Sequence, residues 1–106
     1  MSEVDAVPAT AGVNVTVRLH GALRVQAGGR RDLDVALEHG ATVAALLDQL
    51  ADPYPGLERR IRDETGALRR HVNVFVDGEQ LRALGGLDHR LRDGAQLLVL
   101  PAVSGG

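Results

Sequence analysis

The sequence predicts an α+β fold, a mixed sheet of four to five strands covered on one face by one main helix. Three observations point there. Several stretches alternate apolar and polar residues at the two-residue period of a half-buried strand. One stretch between them repeats apolar residues at the spacing of a helix face. Aromatic residues make up only 2% of the 106 residues, so the core must come from Val, Leu, Ile and Ala, which suits a small sheet under a helix.

The elements follow in order. Residues 1–12 mix small, acidic and proline residues without period and read as a flexible leader. Val13, Val15, Val17 and Leu19 then alternate with Asn14, Thr16 and Arg18, which gives a first strand. A connection bracketed by Gly21 and the Gly28-Gly29 pair leads to a second, in which Leu33, Val35 and Leu37 alternate with Asp34 and Ala36. Thr42 stands where a helix cap is wanted, ahead of Val43, Leu46, Leu47 and Leu50 at i, i+3, i+4 and i+7. Pro53 and Pro55 stop that helix, because proline lacks a backbone donor and biases the residue before it away from helix. Leu57 and Ile61 suggest one further short turn, and Arg59, Arg60, Arg62, Arg69 and Arg70 around Gly66 read as a solvated basic loop. Val72, Val74 and Val76 form a third strand, and Asp77-Gly78 is a two-residue hairpin signal. A short returning segment over residues 79–84, a break at Gly85-Gly86, a helical turn at Leu87 and Leu91, and a last strand over 96–100 complete the chain. Strand, strand, helix, strand, short strand, strand is the β-grasp order. It places the domain at 13–100 and leaves 101–106 as an extended tail.

Composition narrows the function. A chain of 106 residues with 44% hydrophobic content builds one core and no second. A formal net charge of −2 offers no basic footprint, so no nucleic-acid partner is expected. No stretch approaches about 18 apolar residues and the first residues carry acids, so no membrane partner and a cytoplasmic location are expected. Every basic residue is arginine and none is lysine, which leaves the amino terminus as the only ordinary amine. There is no cysteine, hence no disulfide, thiolate metal site or catalytic thiol of the chain's own. His20, His39, His71 and His89 show no metal-ligand spacing, so no metal is expected. The close pairs Asp32 with Asp34 and Asp48 with Asp52 fall on polar sides of a strand and a helix and read as solubility features. Gly28-Gly29-Arg30-Arg31 leads into a strand and lacks the G-x-x-x-x-G-K-[ST] pattern, and Ser104 has no G-x-S-x-G elbow around it. No catalytic residue is expected within the chain.

The remaining feature is the end. An apolar run enters Pro101 and continues through Ala102, Val103 and Ser104 into Gly105 and Gly106. Two glycines without Cβ atoms can thread a narrow channel in a partner and present the α-carboxylate to an activating site. The stretch 71–106, with Val72-Asn73-Val74-Phe75-Val76-Asp77-Gly78, Gly85-Gly86-Leu87, Asp93-Gly94 and Leu100-Pro101-Ala102-Val103-Ser104-Gly105-Gly106, resembles the MoaD/ThiS family of ubiquitin-like sulfur carrier proteins. The similarity is strongest to the cysteine-biosynthesis carriers of actinobacteria, with the small subunit of molybdopterin synthase next. Motifs cover about a third of the chain, and residues 13–61 agree in layout. Ser104 stands where such tails usually have alanine, and the leader is longer than usual.

The resemblance implies that Gly106 is adenylated with ATP by a ubiquitin-activating-enzyme-like adenylyltransferase of the MoeB/ThiF kind. A sulfur donor such as a rhodanese-type sulfurtransferase then leaves a thiocarboxylate there. A sulfur-accepting synthase in cysteine or thiosugar biosynthesis would draw on it, and a metalloprotease that trims the tail is a further implied partner. The chain would bind no cofactor, since the ATP is consumed by the activating partner, and it would be a co-substrate with no catalysis of its own. Along the tail, Gly106 carries the sulfur, Gly105 permits close approach, and Pro101, Ala102, Val103 and Ser104 thread. If Leu97 and Val99 face the core, alternation turns Leu98 and Leu100 outward beside Phe75, and these three are expected to form the docking patch. The reading from another class is a ubiquitin-like protein modifier or interaction module, in which Gly106 is joined to a lysine of another protein.

Overall fold

The computed structural model describes residues 12–101; residues 1–11 of the leader and Ala102, Val103, Ser104, Gly105 and Gly106 lie outside the described residues. Five strands form one sheet. They are β1 (Gly12–Leu19), β2 (Asp32–Glu38), β3 (Val72–Val76), β4 (Glu79–Gln80) and β5 (Gln96–Pro101). Their spatial order is β2-β1-β5-β3-β4, with β5 parallel to β1 and every other neighbour antiparallel. The last strand is therefore the centre of the sheet.

The alternation read from the sequence is the pleat itself. Val13, Val15, Val17 and Leu19 of β1, Leu33, Val35 and Leu37 of β2, Val72, Val74 and Val76 of β3, and Leu97 and Val99 of β5 are all buried. The register sets them side by side, Val17 between Leu33 and Leu97 and Val74 opposite Val99. A slip of one residue would turn this whole set into water, so the aliphatic pattern fixes the register.

Helix α2 (Val43–Leu50) covers that face with Val43, Leu46, Leu47 and Leu50, all buried. Thr42 caps it: the Ala45 N–H donates to Thr42 Oγ1 at 3.1 Å. This is the main helix expected. Two further helices appear. α1 (Ala22–Val25) fills the connection between β1 and β2 and buries Leu23. α3 (Pro55–Ile61) buries Leu57 and Ile61 and begins with Pro55 in its first turn, where a missing N–H costs the helix nothing. Of the two prolines read as a stop, Pro55 instead starts the next helix.

The solvated basic loop is corrected accordingly. Arg59 and Arg60 sit on α3, and Arg62, just past it, is drawn inward with its side chain 10% exposed. Its guanidinium donates to Asp48 Oδ1 at 2.7 Å and to Glu58 Oε2. Burial works against its charge, but the hydrogen bonds to Asp48 and Glu58 outweigh it and hold the group above the ordinary arginine range. Asp48, read as a solubility feature, is a structural partner, and so is Asp32, which pairs with Arg18.

The Asp77-Gly78 turn has φ of 49° and 89°, the doubly left-handed form that suits a two-residue hairpin. After β4 come 3-10 turns at Leu81–Leu84 and Gly86–Asp88, in place of the single helical turn expected from Leu87 to Leu91. Leu91 is held instead by its N–H on Ala41 O at 2.9 Å. β1 begins at Gly12 and β5 runs on to Pro101, each one residue beyond the expected strand.

Candidate functional site

β5 organises the site because it ends in the chain's carboxyl-terminal residues and lies between β1 and β3. Its start is pinned from two sides. The Gln96 N–H donates to Asp77 Oδ1 at 2.9 Å, and the Asn14 N–H donates to Asp93 Oδ1 at 2.8 Å, fixing the turn before it. Its end is pinned as well. Pro101 pairs with Val72 of β3, and Gly21 lies against its ring. A Cβ at Gly21 would fall 3.3 Å from Pro101 Cγ, and Gly21 has φ of +61°, so glycine is demanded there twice over. Among the predicted threading residues only Pro101 is described, and it is still strand.

The face of the sheet opposite α2 carries the predicted patch residues. Leu98 stands between Arg18 on β1 and Phe75 on β3, and Leu100 lies opposite Asn73. Phe75, Leu98 and Leu100 are half-buried, less exposed than the sequence suggested, because each shelters the next. They line a shallow groove of about 370 Å³ whose rim includes Arg18 and Asp77. Both rim charges are answered. Arg18 Nε donates to Asp32 Oδ1 at 2.9 Å; that hydrogen bond and the attraction to Asp32 raise the Arg18 pKa, and the same bond lowers that of Asp32. Asp77 is tied to Gln96 and stands 4.0 Å from Arg92. The groove is thus an apolar floor between muted charges.

One exposed apolar residue escaped the sequence reading. Val25, the last residue of α1, is 72% exposed. It sits on a helix of four residues, too short for periodicity to reveal.

No group of three or more His, Asp or Glu side chains among the described residues could hold a metal ion, and His20, His39, His71 and His89 do not gather. No helix of the described residues is long and apolar enough to cross a membrane. What the arrangement offers is a central strand that carries Leu98 and Leu100 on one face and ends at Pro101, directly before residues 102–106.

The sequence profile of the ThiS family matches residues 17–106. The chain belongs to the ThiS family. Within it, the chain is 36% identical over 96 residues to the sulfur carrier protein CysO of Mycobacterium tuberculosis, covering 89% of this chain and 100% of that protein. It is 37% identical over 81 residues to small archaeal modifier protein 1 of Haloferax volcanii, covering 76% and 88%. Among solved structures, a chain of the Amycolatopsis orientalis BexX/CysO complex superposes on this ThiS-family fold with a TM-score of 0.76 at 37% identity, covering 87% of this chain and 99% of that one.

Proposed function

We propose that this chain is a sulfur carrier of the cytoplasm whose Gly106 is adenylated, converted to a thiocarboxylate and used as a sulfur donor by an acceptor enzyme. The observation that carries the reading is the 36% identity along the full length of a protein named as a sulfur carrier. The geometry supports it, since β5 leads from a half-buried apolar groove straight into residues 101–106.

The chemistry runs in steps that the chain itself does not catalyse. A carboxylate does not exchange oxygen for sulfur without a leaving group. The Gly106 carboxylate attacks the α-phosphorus of ATP in an adenylyltransferase of the MoeB/ThiF kind, pyrophosphate leaves, and an acyl-adenylate forms. The terminal sulfur of a persulfide on a sulfurtransferase displaces AMP, and a thiol then reduces the S–S bond to release the thiocarboxylate. That sulfur attacks an electrophile in a synthase of cysteine or of a sulfur-containing metabolite such as a thiosugar. Gly105 and Gly106 let the end pass a narrow channel, and Pro101 to Ser104 set its stiffness and register. Holding the carboxylate beside the nucleotide is the partner's main contribution. The groove of Phe75, Leu98 and Leu100 docks the partner, and a metalloprotease that trims the tail would reset the chain.

The 37% identity to a small archaeal modifier protein favours a second reading, in which the activated Gly106 is joined to a lysine of another protein. A chain without lysine cannot extend itself into lysine-linked polymers, so such a modifier would be added singly. The intact mass after incubation with ATP, an adenylating enzyme and a sulfide source separates the readings. Exchange of one oxygen for one sulfur in the full-length chain, absent when Gly105-Gly106 is deleted, supports the carrier. Accumulation of isopeptide-linked products without that exchange supports the modifier.

A further inference from the structure

The end of the sheet where β5 delivers Pro101 bears a second surface, unlike the Phe75 face in chemistry. A cleft of about 270 Å³ opens there between α1, α3 and the lead into β3. Leu23 and Pro101 give it apolar wall, and Arg59, Arg60, Arg69 and His71 line much of the rest. No carboxylate lines it. Among the described residues, the ion pairs join Asp32 to Arg18 and Arg31, Asp48 and Glu58 to Arg62, and Asp77 to Arg92; none reaches Arg59, Arg60 or Arg69.

Hydrogen bonds build this cleft. Arg69 Nε donates to Arg59 O at 2.8 Å, and the Arg69 N–H donates to Ile61 O at 2.9 Å. The Arg82 guanidinium donates to Val72 O at 3.2 Å and to Arg69 O at 3.0 Å. Together they tie the lead into β3 to the end of α3. Arg59 and Arg60 also answer the negative end of α3, but that role asks nothing of Arg69 and His71, which arrive from another segment. Arg59 and Arg69 also border a neighbouring cleft that holds Asp48, Glu58, Asp63 and Glu64, and the Arg69 charge reaches Asp63, but on the Pro101 side only Arg59, Arg60, Arg69 and His71 supply charge-bearing groups, so that side is basic on a chain of net charge −2.

Resting on the carrier reading, we infer that this cleft receives acidic side chains of the enzyme that takes the tail. Residues 102–106 start from Pro101, which is itself a wall of the cleft, and five extended residues reach at most about 18 Å. A partner that draws Gly106 into its nucleotide site must therefore bring the mouth of its channel against the residues around Pro101. On the sheet face it meets apolar side chains, and at this end it meets a cationic cleft. Guanidinium groups bind carboxylates through two parallel donors, which fixes orientation as well as position. The apolar face sustains the complex, and the cleft steers its approach and aims the tail.

The test is the association rate of the full-length protein with the adenylating enzyme of the same genome, measured by stopped flow over a salt series. Association of the wild type slows as salt rises. The pair Arg59→Glu and Arg60→Glu associates about tenfold more slowly at low salt, with a flattened salt dependence. The neutral pair Arg59→Gln and Arg60→Gln falls between. Both positions are exposed, so the variants fold, and thermal melting checks it. Equal rates for the wild type and the Glu pair across the series overturn the role of the cleft while leaving thiocarboxylate formation intact. A wild type that gains no sulfur overturns the carrier reading instead, so the two failures are told apart.

Discussion

At the scale of single residues, Gly21 shows how a backbone constraint reaches the tail. Its φ of +61° is strained for any side chain, and the Pro101 ring occupies the space a Cβ would enter. Gly21→Ala is expected to cost about 1–3 kcal/mol in urea denaturation and to slow thiocarboxylate formation by shifting the exit of the tail. Acid stability is set by other single residues. The Thr65 hydroxyl donates to Asp63 Oδ1, followed by the Thr65 and Ala67 N–H groups, and these bonds hold the Asp63 carboxyl below its ordinary 3.8. Arg18 does the same for Asp32. A carboxylate with a depressed folded pKa adds stability that is fully present above its unfolded value and is lost as pH falls through the folded one. Melting temperature should therefore decline below about pH 4, and the decline should be shallower in Asp63→Asn and Asp32→Asn. A wild type and variants with parallel acid profiles would contradict this.

At the scale of elements, α2 depends on its cap and its buried face. Thr42→Ala should cost about 1 kcal/mol, because it leaves the Ala45 N–H without its partner. Leu47→Ala should cost about 2–5 kcal/mol, because Leu47 is fully buried between helix and sheet. Equilibrium denaturation checks both, and a smaller loss for Leu47→Ala than for Thr42→Ala would mean that the helix does not pack as described. These elements could be read from the sequence because one face of each is buried and the other wet, so that period 2 or 3.6 is written into the residues. α1 went unread, and α3 was read only as a short turn at Leu57 and Ile61, because the first is short and the second begins on an ambiguous residue. α1 spans four residues, too few for a helical period, and α3 starts at a proline that reads equally as a stop. The fate of the arginines followed from α3: once residues 55–61 are helical, Glu58 and Arg62 stand one turn apart and Asp48 of α2 completes the pair. Sequence spacing held the first contact, whereas the second needed tertiary placement.

At the scale of the molecule, β5 lies at the centre of the sheet and ends at Pro101, so residues 102–106 follow directly from a core strand. The apolar groove runs along β5 from Gln96 to Leu100 on the face opposite α2, and the basic cleft lies at the end of the sheet where Pro101 meets α1 and α3. The groove residues were legible in advance, since alternation fixes faces, but the cleft was not, because it assembles from α1, α3 and the lead into β3. Phe75→Gln or Leu98→Gln is expected to weaken binding to the adenylating enzyme about tenfold or more. The melting temperature should change little, since neither side chain is in the buried core. The measurement that bears most directly on sulfur carriage is tandem mass spectrometry of the carboxyl-terminal peptide after the full reaction and alkylation. Trypsin cuts last after Arg92 and releases residues 93–106 as one fragment. A carrier yields this fragment with one oxygen replaced by an alkylated sulfur, located at Gly106. An unmodified Gly106, in a reaction that thiocarboxylates another carrier and is run with the adenylating enzyme of the same genome, would contradict sulfur carriage by this chain.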